Sequence, residues 1–166
     1  MGSNNRSIEV IEKHLMSWAD VDAATDRIVE EILESEININ AILGLSRGGL
    51  VPAVIISNKL DIDKVYSYGL RSYNTNRQGE AISTYQHIGP NLCSDENILI
   101  VDDISDQGKT LAYVKDQVCS DGPLNYVHKN IYTCTLCIKK NTDFLPTWYY
   151  RTYRDDQWVT FPWEII

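Results

Sequence analysis

Apolar positions along the chain fall into blocks that alternate between helical and strand-like spacing. Val21, Ala24, Ile28 and Ile32 recur on one helical face, and Asp22, Asp26, Glu30 and Glu34 fill the opposite side. Ser17 and Asp20 form an S-x-x-D capping signature ahead of that block. Together they predict an amphipathic helix over roughly residues 18–35. INAILGL at 39–45 is a continuous apolar run and reads as a buried strand. LVPAVIISNKL, after the SRGG turn, reads as a helix with Pro52 tolerated in its first turn.

KVYSYGLRS at 64–72 predicts a second strand, with Gly69 as its weak point. YNTNRQG at 73–79 is polar and turn-rich, AISTYQHI predicts a short strand, and GPNLCSDEN reads as a loop. ILIV at 98–101 has the pattern of a parallel strand buried on both faces. A helix is expected from about Gly108 to Cys119, then a strand over 126–138. The C-terminal stretch, with WYYRTY and QWVTFPWEII, reads as aromatic and irregular.

This alternation predicts an α/β fold with a mainly parallel central sheet flanked by helices. The 166 residues suit one domain, and no repeat or linker divides them. In such sheets ligands bind beyond the carboxyl ends of the strands. SRGG and DDISDQGKT both stand at an end of that kind.

Composition changes this picture in a few places. The net charge is -8 and no Lys/Arg cluster interrupts it, which argues against a nucleic-acid partner. No apolar run approaches the roughly 20 residues that span a bilayer, so no membrane role is expected. The N-terminal residues carry no signal-peptide core, and a cytoplasmic location with reduced thiols is expected. Cys134 and Cys137 form a C-x-x-C, but residues three apart on a strand point to opposite faces. They read as small buried hydrophobes rather than a metal or redox pair. His14, His87 and His128 are scattered without ligand spacing.

The chemistry concentrates in ILIVDDISDQGKTL. A buried strand delivers adjacent carboxylates, Asp102 and Asp103, and a polar turn and a helix start follow. Gly108 permits close backbone approach. The amides from Ser105 to Thr110 can point inward and cradle a phosphate at the positive helix end. A ligand carrying ribose hydroxyls, a metal and a phosphate needs both halves. A P-loop is excluded, because the Gly required five positions before Gly108 is Asp103. A phospho-acceptor site would leave the phosphate-type turn unexplained.

This string resembles the phosphoribosyl pyrophosphate (PRPP) motif of type I phosphoribosyltransferases, most closely the small 6-oxopurine enzymes. The resemblance runs from Trp18 to Glu164 and implies that family's fold, with a core over about 18–140 and a small C-terminal hood over about 141–166. It implies that Asp102 and Asp103 bind the ribose hydroxyls, directly or through magnesium. Ser105, Asp106, Gln107, Gly108, Lys109 and Thr110 would hold the 5'-phosphate, with Asp106 also the general base facing the purine. Gln107 departs from the Thr common at that position, and altered phosphate binding is expected. ILGLSRGGLVPAVIISNKL resembles the family's pyrophosphate turn, which implies roles for Ser46, Arg47 and Gly48 and a peptide before Arg47 that is often cis. Arg47 supplies a fixed positive charge there, and Gly48 and Gly49 expose amides.

RSYNTNRQGEA, with Ser72 and Tyr73 at its start, is similar to the flexible loop that closes over PRPP. For the base, the resemblance assigns Lys139 to the exocyclic oxygen, Trp158 to stacking, Val159 to backbone contact and Glu164 to the two-position. The implied reaction transfers the phosphoribosyl group of PRPP to guanine, xanthine or hypoxanthine. It yields a purine nucleotide and pyrophosphate, in a homodimer or tetramer. Two alternatives stay open: a non-catalytic nucleotide sensor of the same fold, and an enzyme for a pyrimidine base.

Overall fold

The computed structural model describes residues 12–75, 79–86, 97–120 and 130–164. Its central feature is a six-stranded sheet in the order β4-β3-β2-β5-β6-β7. The strands are β2 (Ala41–Ser46), β3 (Val65–Thr75), β4 (Gly79–Gln86), β5 (Ile98–Ser105), β6 (Ile131–Lys139) and β7 (Trp148–Tyr153). All pair in parallel except β4, which runs antiparallel to β3. Three helices join them: α1 (Trp18–Glu34), α2 (Leu50–Leu60) and α3 (Lys109–Ser120). A second, two-stranded sheet pairs β1 (Glu12–Leu15) in parallel with β8 (Gln157–Thr160).

The expected architecture is present, a mainly parallel sheet with helices on both faces. Its cause is visible in the central strands. Leu99 and Val101 of β5 face one core with Ile42 and the α1 residues Val21, Ala24, Ile28 and Ile32. Ile98 and Ile100 face the other, with Leu43, Leu45 and the α3 residues Leu111 and Val114. Alternate side chains of one strand thus bury on opposite faces, which is why the run carries no polar interruption. Helix α1 begins at the predicted box: the Ser17 N–H donates to Asp20 at 2.9 Å, and the Asp20 N–H returns to the Ser17 hydroxyl at 3.1 Å.

Three expectations need correction. The C-terminal stretch is not irregular: β7 extends the main sheet past residue 140, pairing Lys139 with Tyr153, and β8 forms the second sheet. Strand β1 was not foreseen, since its four residues are mostly exposed and show no apolar alternation. Strand β5 does not stop at Val101 but runs on through both aspartates to Ser105. Gly69 does mark a weak point, because the β3–β4 register shifts between Gly69 and Leu70. The loop expected at GPNLCSDEN lies outside the described residues except Asn97, as do 76–78 and the first part of the strand expected at 126–138. Among the described residues, no helix is long and apolar enough to cross a membrane.

Candidate functional site

Neighbouring strands β2 and β5 leave the sheet in opposite directions. β2 leads through α2 to β3, and β5 leads through α3 to β6 on the other side. A crevice opens at the carboxyl ends of strands that diverge in this way. Ser46 ends one strand, and Asp102 and Asp103 lie near the end of the other.

Glycines let the two ends approach. A Cβ on Gly49 would meet the Val101 carbonyl oxygen at 2.3 Å and the Asp102 Cα at 2.8 Å. A Cβ on Gly48 would meet the Asp103 carboxylate, with Oδ2 at 1.7 Å. The backbone contacts leave no room for a side chain at Gly49, whereas one at Gly48 would have to displace the Asp103 carboxylate. The Ser46–Arg47 peptide is cis, in keeping with the resemblance. Arg47 is exposed, and its guanidinium has no ion-pair partner among the described residues.

Asp102 and Asp103 are closely surrounded by protein. Burial pushes the Asp102 carboxyl well above its usual range, and repulsion from Asp103 adds to this. Asp103 is pushed up to about 6, chiefly by burial and partly by repulsion from Glu164. The Asp103 N–H donates to Asp102 Oδ1 at 3.0 Å and fixes that side chain. Two adjacent carboxylates that resist ionisation have a strong use for a cation or for hydroxyl donors.

The turn after β5 is tied to the neighbouring 142–144 segment where it begins. Ser105 is buried, and its hydroxyl donates to the Phe144 carbonyl at 3.1 Å with Thr142 Oγ1 also at 3.1 Å. This side chain anchors the turn from inside. The following residues fit the reading better. Gly108 has φ +79° and packs on Phe144, where a Cβ would meet the Phe144 nitrogen at 2.5 Å. Asp106 and Gln107 are exposed, as is Lys109 on the first turn of α3. The N–H groups of Asp106, Gln107, Gly108 and Thr110 have no acceptor among the described residues. The Gln107 carbonyl accepts from the Asp143 N–H at 3.2 Å, which points the Gly108 N–H of the same peptide the opposite way.

A pocket of about 630 Å³ adjoins this turn. Its wall includes Asp103 and Asp106 from the β5 end, Lys139 from β6, and Trp158, Val159 and Glu164 from the C-terminal stretch. The fold therefore gathers both sequence segments around one cavity. Lys139 is buried, and its ammonium donates to the Arg154 carbonyl at 3.2 Å and to the Gln157 carbonyl. Trp158 is 58 % exposed, an indole face left open to the cavity side, while Val159 is buried in β8. The Glu164 carboxylate accepts from the Phe161 N–H at 2.9 Å, which holds it at the pocket edge.

Sequence reading missed Asp155 and Asp156, which also line this pocket. Asp155 accepts from the Asn141 N–H at 3.2 Å and from the Asn141 side-chain amide. Acidic residues in a polar stretch carry no periodic signal, so only the turn between β7 and β8 reveals them.

Ser72 and Tyr73 lie in β3, paired with Ile82 and Ala81 of β4, and their side chains fall outside the described residues. Of the loop expected to close over PRPP, residues up to Thr75 and from Gly79 pair in the β3–β4 ladder, and 76–78 lie outside the described residues. Cys134 and Cys137 are free and buried in β6. Burial pushes both thiols up, with added repulsion from Asp102 and Asp103 respectively, so neither is primed as a thiolate.

The profile of the phosphoribosyl transferase domain matches residues 12–165. A xanthine-guanine phosphoribosyltransferase of Cereibacter sphaeroides is 33% identical over 126 residues, which cover 75% of this chain and 69% of that protein. One from Idiomarina loihiensis is 27% identical over 150 residues, covering 90% of this chain and 86% of that protein. Among solved structures, a purine phosphoribosyltransferase from Pyrococcus horikoshii superposes with a TM-score of 0.78 at 33% identity. It covers 93% of this chain, and 95% of that chain is matched.

Proposed function

Because the chain belongs to the phosphoribosyltransferase family, we propose that it is a purine-salvage enzyme. It transfers the phosphoribosyl group of PRPP to guanine, xanthine or hypoxanthine and releases pyrophosphate. The observation that carries this reading is a contiguity. A two-carboxylate strand end, a turn with uncommitted N–H groups, and a pocket walled by Lys139 and Trp158 lie side by side. Relatives named for xanthine, guanine or purine substrates support the choice of base.

The turn from Asp106 to Thr110 receives the 5'-phosphate on its open N–H groups. The Ser105 hydroxyl is excluded from that role by its bond to Phe144. Arg47, with Ser46 and Gly48 beside it, receives the pyrophosphate. Its guanidinium offsets charge that builds on the leaving group. Asp102 and Asp103 hold the ribose hydroxyls. The same two carboxylates suit magnesium, since their raised affinity for a proton is the mark of a site short of positive charge. When bound, magnesium would spread the negative charge of the departing pyrophosphate.

Trp158 stacks on the purine, Lys139 faces its exocyclic oxygen, and Val159 and Glu164 stand at the far edge. Asp106 lies where pocket and phosphate turn meet and shares the proton of the purine ring nitrogen. Much of the rate comes from holding two reactants in line. Closure of the β3–β4 hairpin, starting at Ser72 and Tyr73, keeps water out. Assembly as a homodimer or tetramer belongs to the same proposal.

The test is a nucleotide-formation assay with PRPP, magnesium and a panel of purine and pyrimidine bases. Products confined to 6-oxopurine nucleotides support the reading. Turnover of a pyrimidine alone, or none with any base, removes it.

A further inference from the structure

Lys139 makes a second contribution that does not require a base to be present. Its ammonium reaches across from the end of β6 to two carbonyls of one tight turn, those of Arg154 and Gln157. That turn closes on itself: the Gln157 N–H donates to the Arg154 carbonyl at 3.2 Å, and the Arg154 N–H donates to the Gln157 side chain at 3.0 Å. It carries Asp155 and Asp156 into the pocket wall and delivers Trp158 on the next residue. We propose that Lys139 is a positioning residue for the base-binding hood, clamping the 154–157 turn through two backbone carbonyls and so setting the place of Trp158. This deepens the function proposed above and rests on it.

Three features distinguish the clamp from an incidental contact. First, the lysine is 6% exposed, so its charge is removed from water and needs the acceptors it has. Second, an ammonium has three donors and no acceptor. Two are engaged by the turn, and one remains for an exocyclic oxygen. Third, the other ties to this turn are exposed. Among the described residues these side-chain ties are the Asn141–Asp155 bonds, the Gln157–Glu12 bond at 3.2 Å and the Arg154–Glu12 pair at 2.7 Å, with the Glu12 and Arg154 side chains 59% and 62% exposed. Exposed pairs hold geometry weakly. The clamp is the buried side-chain tie between this turn and β6.

The test compares wild type with Lys139→Met, by hydrogen exchange of ligand-free protein and by steady-state kinetics. Exchange over residues 154–160 should accelerate about tenfold or more, with β2 and β5 unchanged. The guanine KM should rise about tenfold, with the PRPP KM within about twofold. If exchange in 154–160 is unchanged while the guanine KM rises, Lys139 is a base contact alone and the clamp is overturned. It is overturned equally by faster exchange throughout the sheet, or by a loosened hood with guanine KM unaltered. Lys139→Gln, which keeps a polar head too short for both carbonyls, gives the same readouts if the Met variant does not fold. A wild type that forms no nucleotide from any base removes the function proposed above, which is separable from any result on the variant.

Discussion

The Asp103 carboxylate rests against the backbone of Gly48, so closely that a Cβ on Gly48 would lie 1.7 Å from its Oδ2. Two motifs separated by more than 50 residues of sequence meet at this contact. The obstacle to a side chain at Gly48 is the tip of a flexible residue, not the backbone. Gly48→Ala should therefore shift Asp103 cheaply, lowering Tm by only a few degrees, about 1 kcal/mol. The PRPP KM should still rise by about tenfold or more, because the displaced group is the carboxylate proposed above to hold the ribose. Thermal melts and PRPP kinetics on one variant check both halves.

Gly49 predicts the opposite balance. Its neighbours at under 3 Å are the Val101 carbonyl, the Asp102 Cα and the Leu45 carbonyl, all backbone of two central strands. Gly49→Ala should destabilise the fold by about 2–3 kcal/mol, since the sheet itself must open. Denaturant unfolding gives the value, and a loss no larger than that at Gly48 would contradict the packing described.

The Asp103 carboxyl, held near 6 by burial, makes ligand-free stability depend on pH. Its folded pKa lies above the unfolded value, so the folded state binds more protons. The associated stability is complete below about pH 4 and is lost as pH rises through 6, a change of order 2 kcal/mol. Asp102 shifts in the same direction. Asp103→Asn should therefore gain Tm relative to wild type between pH 4.5 and 7. A Tm difference that stays flat over that window would contradict this electrostatic account.

Asp106 is exposed at the junction of the phosphate turn and the pocket. Asp106→Asn should lower kcat by about a hundredfold while the PRPP KM changes by less than about threefold. Equal losses in both would remove its role as proton acceptor.

A purine nucleotide with magnesium at about 100 times its Kd should stabilise the protein by about 2.7 kcal/mol, or roughly 5–10 °C in Tm. A pyrimidine nucleotide at the same concentration should give much less. Differential scanning fluorimetry compares them directly.

The parts of this fold legible in the sequence are those where burial imposes a period. The α1 stripe through Ile28, and the unbroken Ile98–Val101 run, are consequences of core faces and could be read without a structure. Strand β1 was illegible because only one face of a two-stranded sheet supports it, and Glu12, Lys13 and Leu15 stay exposed. The end of β5 was misplaced because the strand was ended at the first charge. Ile104, apolar and directly after the aspartates, was the available sign that it continues. Asp155 and Asp156 gave no sign at all. Their place in the pocket wall depends on a turn that Lys139 and the distant Glu12 both contact.

The β1–β8 pairing orders events in time. Glu12 and Gln157 lie 145 positions apart, yet they are bonded in the small β1–β8 sheet. During synthesis strand β1 must wait for residues 157–160 to emerge, because its partner does not yet exist. Strands β2 and β5 and the turn after them are by then already translated. The carboxylate strand end and the open turn thus precede, along the chain, the residues that complete the pocket at Trp158.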